Sequence, residues 1–455
     1  MFQAGVARTD LTPYWGVELT GWGYYIERRW QRIHDRLSAT ALAVDDGERQ
    51  AVLIALDLMV IDEAFALRTR EMVHEATGLP PTAILLNCSH SHNAPAAGGL
   101  LGVGECDPFF EDWASRQAAT AAILAWRQRA PAKLRSGRTT VDDVSFNRTR
   151  SAGVIDSTLT ALRIDRLDGS PLVIVTNFGA HPTITTDLRP WDVSRDVPGQ
   201  VCDGLEAAFP GALALYIQGA CGDANFHREF ATPEREHEPA QRLLAATRQA
   251  LDRAKLCSEP RVAAAAERAI LPTRRWTREE LFKDRQEAER RLAEHDASRW
   301  RETIGRSMTN RPDDMVKRHG GDEWKAVAAM CRFHIEWTDL MLRDWETRPE
   351  TLETEVQALR VGDAYVVANS SEFFSPFAIG IRQRFGDEKL LMACYSNGRI
   401  GYLPDAHDIE VRSYAGYQSP KYCNQFPFTP ESGPAMCDAM LRVLERCRSN
   451  GGSQS

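Results

Sequence analysis

Short apolar runs that end abruptly in polar clusters set the strongest limit on this fold. The run 51–56 is followed by Asp57, a capping Asp62 and a helical stretch to about 76, closed by Gly78 and Pro80. A second apolar run occupies 82–87. Strand, helix and strand in that order imply parallel pairing through a crossover. This second run leads into Asn87-Cys88-Ser89-His90-Ser91-His92-Asn93-Ala94-Pro95, with Gly98-Gly99 loosening the loop beyond. In extended chain, positions two apart face the same side, so His90 and His92 are expected to address one point. Neutral imidazole is the commonest metal ligand, which makes the pair half of a candidate metal site. Two surface histidines on a loop are the plainer alternative for that pair taken alone.

The same pattern recurs along the chain. Apolar segments at 39–44 and 51–56 flank Asp45-Asp46-Gly47, and segments at 159–164 and 172–178 flank Asp168-Gly169; both read as hairpins. The second hairpin ends in Gly179-Ala180-His181-Pro182-Thr183, where Pro182 stops the ladder. The run 213–217 ends in Gln218-Gly219-Ala220-Cys221-Gly222-Asp223-Ala224-Asn225. The run 364–368 ends in Asn369-Ser370-Ser371-Glu372, and 390–395 precedes Gly401-Tyr402. Helices are expected at 112–127, 198–209, 239–255, 376–385 and 433–447. The fold class is therefore α/β, a mixed and largely parallel sheet core flanked by helices. Residues 273–350 differ in texture, with a capping box at Thr277-Arg278-Glu279-Glu280 and a second helix over 322–344. They read as a helical insertion, an arm or lid, in a domain made of 1–272 and 351–448. The Ser/Gly-rich end, 449–455, is expected to be disordered.

Five strand ends thus deliver His90 with His92, His181, Asp223, Glu372 and Tyr402. In α/β proteins, ligands gather beyond the carboxyl ends of strands. Histidines with a carboxylate fit zinc, whose catalytic sites keep one position open for water.

Composition narrows the class. The 455 residues are 43% hydrophobic and 26% charged with net charge -8, which argues against nucleic acid or an anionic membrane surface as main partner. No apolar run approaches the ~20 residues of a membrane span. The N-terminus shows no basic flank or long apolar region, and the ten cysteines form no C-x-x-C pair, so a reduced, cytoplasmic protein is expected.

Several motifs together resemble the catalytic domain of neutral, non-lysosomal ceramidases. They are residues 2–23, Ser89-His90-Ser91-His92, Phe146-Asn147-Arg148, Asn177-Phe178-Gly179-Ala180-His181-Pro182-Thr183, Gly222-Asp223, Glu372 and Gly401-Tyr402. The resemblance spans residues 2 to about 420. It implies a zinc site made of His90, His181, Glu372 and Tyr402. It also implies that Tyr414, in Ser413-Tyr414-Ala415-Gly416, lies beside the scissile amide, that Arg148 binds substrate, and that His92 lies behind the ligands or carries a proton. Asn147, Asn225 and Trp22 are expected on the substrate side. The family's ceramide cleavage uses a serine shortly after the Gly-Asp pair, whereas this chain reads Gly222-Asp223-Ala224-Asn225-Phe226.

The first expectation is a zinc-dependent hydrolase that cleaves an amide of a soluble small molecule by metal-activated water, and not ceramide itself. His92 or Asp223 would move the proton, and Tyr414 with Arg148 would stabilise the oxyanion. A metal-dependent esterase, or a carbohydrate C–O hydrolase or lyase, is the second; a non-catalytic metal-stabilised binding protein is the third.

Overall fold

The computed structural model describes residues 1–304, 312–386 and 389–449. The elements that matter here begin with β1 (Gln3–Asp10), β2 (Ser38–Asp45), β3 (Gln50–Leu56), α1 (Glu63–Thr77), β4 (Ile84–Cys88) and α2 (Pro108–Arg127). Next come β5 (Ala130–Thr140), β6 (Thr158–Arg166), β7 (Pro171–Phe178), α3 (Asp196–Ala208), β8 (Leu213–Gln218) and α4 (Glu238–Asp252). The remainder are β9 (Arg261–Pro272), α5 (Arg278–Glu294), α6 (Glu323–Arg343), β10 (Thr351–Gly362), β11 (Ala364–Ala368), α7 (Ser375–Phe385), β12 (Leu390–Ala393) and α8 (Ser432–Ser449).

An eight-stranded sheet runs in the order β8-β7-β6-β5-β1-β2-β3-β4, and a four-stranded sheet in the order β9-β10-β11-β12. The two pack face to face. Along β7, Val173 and Val175 point at the second sheet while Ile174 points out under α3 and α4. Along β12, Leu391 and Ala393 point in while Leu390 and Met392 point out toward α7 and α8. This period of two follows from the pleat, and with both faces covered the strands read as nearly unbroken apolar runs. Each fully buried Val, Leu or Ile adds roughly 1.5–3 kcal/mol to the sandwich.

The mixed sheet flanked by helices agrees with the reading from sequence. Parallel pairing is narrower than that reading implied. Within the two large sheets it is confined to β3 with β4, β7 with β8, and β11 with β12. The other ladders of both sheets are antiparallel, all but that of β1 with β5 between consecutive strands. The three parallel pairs are nonetheless the ones that position the site, because their strand ends lie together. Two buried asparagines pin them. Asn87 accepts from the Gln218 backbone and donates to the Cys394 carbonyl. Asn177 bridges the Ile217 carbonyl of β8 and the Met392 backbone of β12. Polar groups at this depth are tolerated only when bonded in this way.

Local signals behave as chemistry demands. Asp62 caps α1 by accepting from the Phe65 backbone, and Gly78 closes the helix at φ 77. Thr277 and Glu280 form the capping box of α5. Because Pro272 pairs with Thr351 across β9 and β10, the whole of 273–350 is an excursion from one hairpin. Its described part holds α5, α6 and two short helices, Trp300–Ile304 and Pro312–Arg318. At the C-terminus α8 runs through Ser449, and the rest of the expected 449–455 tail lies outside the described residues. Among the described residues no helix is long and apolar enough to cross a membrane.

Candidate metal centre and active site

His90 lies two residues beyond β4 and adopts a left-handed backbone at φ 64. His90 and His92 do address one point, but through a turn and not through extended chain. Their Nε2 atoms are 3.3 Å apart. Gly21 passes directly over the His92 ring, where a Cβ would meet the His92 Cβ at 2.7 Å. His181 follows β7 and brings its Nε2 to 2.9 Å from that of His90. Each ring meets a backbone carbonyl through Nδ1: Met59 for His90 at 3.0 Å, Gly21 for His92 at 3.1 Å and Cys221 for His181 at 2.6 Å. Carbonyls only accept, so each Nδ1 carries a proton, and each Nε2 faces the others.

Glu372 and Tyr402 enter from the far side, paired in the short parallel ladder of Glu372–Phe373 with Tyr402–Leu403. Glu372 Oε2 lies 3.2 Å from His181 Nε2 and 3.5 Å from His90 Nε2, yet this buried oxygen has no hydrogen-bond donor among the described residues. Tyr402 Oη is 3.4 Å from His181 Nε2 and accepts from Arg148 Nη2 at 2.6 Å. A donor-poor set of lone pairs converging this tightly is repulsive without a cation among them. Ligand atoms around a tetrahedral zinc at ~2.0–2.1 Å sit about 3.3 Å apart, so the residues present fit such an ion.

Electrostatics agree. Burial, with Arg148 and His90 nearby, pushes His181 down to about 3. Burial also drives His92 well below the ordinary histidine value. Both are therefore neutral, as ligation requires. Burial opposes the charge on Arg148, but Tyr402 and Glu372 keep the guanidinium firmly protonated.

Above these groups lies a cleft of about 80 Å³, lined in part by Trp22, His92, Arg148, Asn225, Tyr402 and Tyr414. Tyr414 opens a π-helical turn, Tyr414–Gln418, and its ring centroid is 5.6 Å from that of Tyr402. Such turns recur at functional sites because they re-aim a side chain. Asn225 donates to Thr183 Oγ1 at 3.1 Å.

Asn147 and Asp223 sit behind this wall. Asp223 is fully buried. Its Oδ1 accepts from the Ser375 amide at 2.8 Å and hydroxyl at 2.7 Å, and its Oδ2 from Asn147 Nδ2 at 3.1 Å. The Asn147 side-chain oxygen is taken by the backbone amides of Thr149 and Arg150 and by the Thr149 hydroxyl. Neither side chain faces the cleft. Together they brace the turn that presents Arg148, whose amide donates to the Asp223 carbonyl at 2.7 Å. Gly222 in that turn is pressed on Glu372, since a Cβ there would lie 2.3 Å from its carbonyl oxygen.

A variant follows from this bracing. In Asp223→Asn, an amide NH2 would oppose the Asn147 NH2, and the fold should lose about 1–3 kcal/mol. Turnover per folded molecule should remain close to wild type. Burial raises the Asp223 carboxyl from 3.8 to about 6. The folded state then holds the proton more tightly than the unfolded one, and this share of stability is lost as pH rises across that window. The variant should lack this share. Thermal melts against pH, with kcat per active molecule, check both parts; a turnover loss of ~100-fold would instead mark Asp223 as a base.

Two supporting residues escaped the sequence reading. Tyr395 stacks on His90 with centroids 4.0 Å apart, and its Oη lies 3.0 Å from Cys221 Sγ. It stands at a strand end like the others, so the same rule pointed to it. Arg28 is wholly buried and donates to the His92 carbonyl at 2.8 Å; a lone arginine in irregular chain gave no signal.

The fold and the histidine cluster describe an α/β protein with a candidate metal centre at its strand ends. Solved structures of the same fold are neutral ceramidases. One is neutral ceramidase from Pseudomonas aeruginosa, at TM-score 0.70 and 16% identity, covering 100% of this chain and 75% of that one. Another is a ceramidase complexed with C2, at TM-score 0.70 and 16% identity, covering 100% of this chain and 76% of that one. No family profile matches the sequence, and no curated protein matches it.

Proposed function

We propose that this chain is a zinc-dependent hydrolase that opens an amide bond in a small molecule and does not act on ceramide. The observation that carries this is the convergence of three imidazole Nε2 atoms and the donor-less Glu372 Oε2, beside a cleft that His92, Arg148 and Tyr402 line. The likeness to ceramidases, whose substrate is an amide, supports the choice of bond. The small, largely polar cleft and the absence of a serine after Gly222-Asp223 argue against a long-chain lipid.

His90, His181, Glu372 and Tyr402 would hold the ion, with His92 at its edge. Bound zinc supplies Lewis acidity toward a carbonyl and lowers the pKa of water. Arg148 and Tyr414 donate to the oxygen on which negative charge grows. His92, the least buried of the three histidines, moves a proton at Nε2 toward the leaving amine. The wall between Trp22 and Tyr414 limits access by bulk water.

The test is metal analysis of purified protein followed by a panel of amide, ester and glycoside substrates. Zinc near one per chain, activity lost in chelator and restored by zinc, and selective amide cleavage are expected. Protein without metal and indifferent to chelator would sink the proposal, and cleavage of only esters or glycosides would move it to those bonds. Within the reading, Tyr414→Phe should retain zinc and lose about 10²–10³ in kcat, the usual effect of deleting one oxyanion donor. Steady-state kinetics beside zinc content decide it; unchanged kcat removes that role.

A further inference from the structure

The cleft carries cationic groups that its own carboxylates do not match. Arg28 is buried beneath Trp22, its guanidinium 4.1 Å from the ring centroid. It donates only to the carbonyls of Thr20, His92 and Pro190. Among the described residues no carboxylate pairs with it. Arg318, the last residue of the short helix Pro312–Arg318, lines the same cleft with its guanidinium 5.2 Å from the Trp22 centroid. Among the described residues Arg318 makes neither a hydrogen bond nor an ion pair. Of the acidic groups in the wall, Asp314 lies 3.9 Å from Arg228. Asp187 lines the cleft as well, and it and Asp314 act on Arg318 through their charge without bonding to it. Burial, and after it the charge on Arg318, push Arg28 down to about 9.

A half-buried guanidinium without an acceptor is costly, and a charged oxygen acceptor removes the cost with a strong bond. The cleft is small, about 80 Å³. We infer that the substrate is a small amide bearing a carboxylate, and that Arg318, supplied by the helical insertion, receives that carboxylate. The inference rests on the proposed amide hydrolysis and names its substrate class. It also assigns the insertion a part in specificity, since Arg318 lines the cleft that His92 lines.

The experiment titrates the zinc-loaded protein with N-acetylglycine and with its neutral counterpart N-acetylglycinamide, following binding by calorimetry. The acid should bind at least about tenfold tighter than the amide, the usual worth of one charge-assisted bond. Arg318→Gln should bring the acid down to the level of the neutral compound, and Arg318→Lys should restore part of the difference. Wild-type protein freed of metal with chelator should keep the preference, because a carboxylate held by the metal would lose it there. A preference that survives Arg318→Gln, one that vanishes in the metal-free protein, or binding of neither compound overturns the inference. Turnover is scored separately: Arg318-dependent binding without any hydrolysis would refute the proposed reaction while leaving the carboxylate site in place.

Discussion

Replacing His181 by alanine should strip most of the bound metal and take turnover to background while leaving the chain folded. His181 stands at the meeting point of the site: its Nε2 is within 3.5 Å of His90, Glu372, Arg148 and Tyr402. Losing it removes one of the proposed ligands and leaves Glu372 facing a wider gap. An outer partner of a metal ligand is worth ~10–100-fold in affinity, and a ligand itself should be worth more. Its structural contribution is smaller. Outside the converging groups of the site, the ring bonds to the Cys221 carbonyl, so the loss of stability should be about 1–3 kcal/mol. His90→Ala should behave alike, whereas His92→Ala should lower turnover more than metal content if His92 carries the proton. Metal content after desalting, read beside thermal melts and kcat, checks the set. Full zinc in either His90→Ala or His181→Ala would remove that residue from the ligand shell.

The strand ends were legible because two local signals coincide at each. An apolar run needs a buried strand, and a histidine, carboxylate or tyrosine just past it has to sit at the mouth. His90, His181, Glu372 and Tyr402 all converge on those grounds. Capping chemistry was equally plain at Asp62 and Thr277, where a side chain must satisfy free helix amides.

Other features depend on partners far along the chain. Asp223 sits on a glycine-rich turn at a strand mouth, as expected, but Ser375 and Asn147 claim both its oxygens. No pattern near residue 223 announces a partner 152 positions away. Arg318 lies in a charged helical stretch that reads as a solvated face, and only the closing of the β9–β10 hairpin brings it to the cleft beside Trp22. The balance of strand directions was obscured for a related reason. A strand covered on both faces is apolar throughout, whether its neighbours run with it or against it.

Arg148→Lys should lower kcat by about 10²-fold or more while zinc stays bound, because the shape of the guanidinium, and not charge alone, is used here. Arg148 follows the short strand Ser145–Asn147, which pairs with Ala224–Phe226 and so fixes its backbone. Its Nε and Nη2 both donate to the Gly222 carbonyl, at 3.2 and 3.0 Å. The same Nη2 donates to Tyr402 Oη at 2.6 Å and approaches His181 Nε2 at 3.2 Å, and Nη1 stands 3.5 Å from Asn225 Oδ1. A single ammonium cannot span these acceptors. It would keep the Gly222 carbonyl or reach Tyr402, but not both, and the donor aimed into the cleft would be lost. Arg148→Met should be worse, since it leaves Glu372 without its cation in a desolvated site. Both variants should also lose about 1–3 kcal/mol of stability through the freed carbonyl, so kinetics must be read per folded, zinc-loaded molecule. A fall in kcat with KM nearly unchanged assigns the guanidinium to the developing oxyanion. An Arg148→Lys protein that melts earlier but turns over like wild type would leave Arg148 as a strut of the Gly222 turn and remove it from the chemistry.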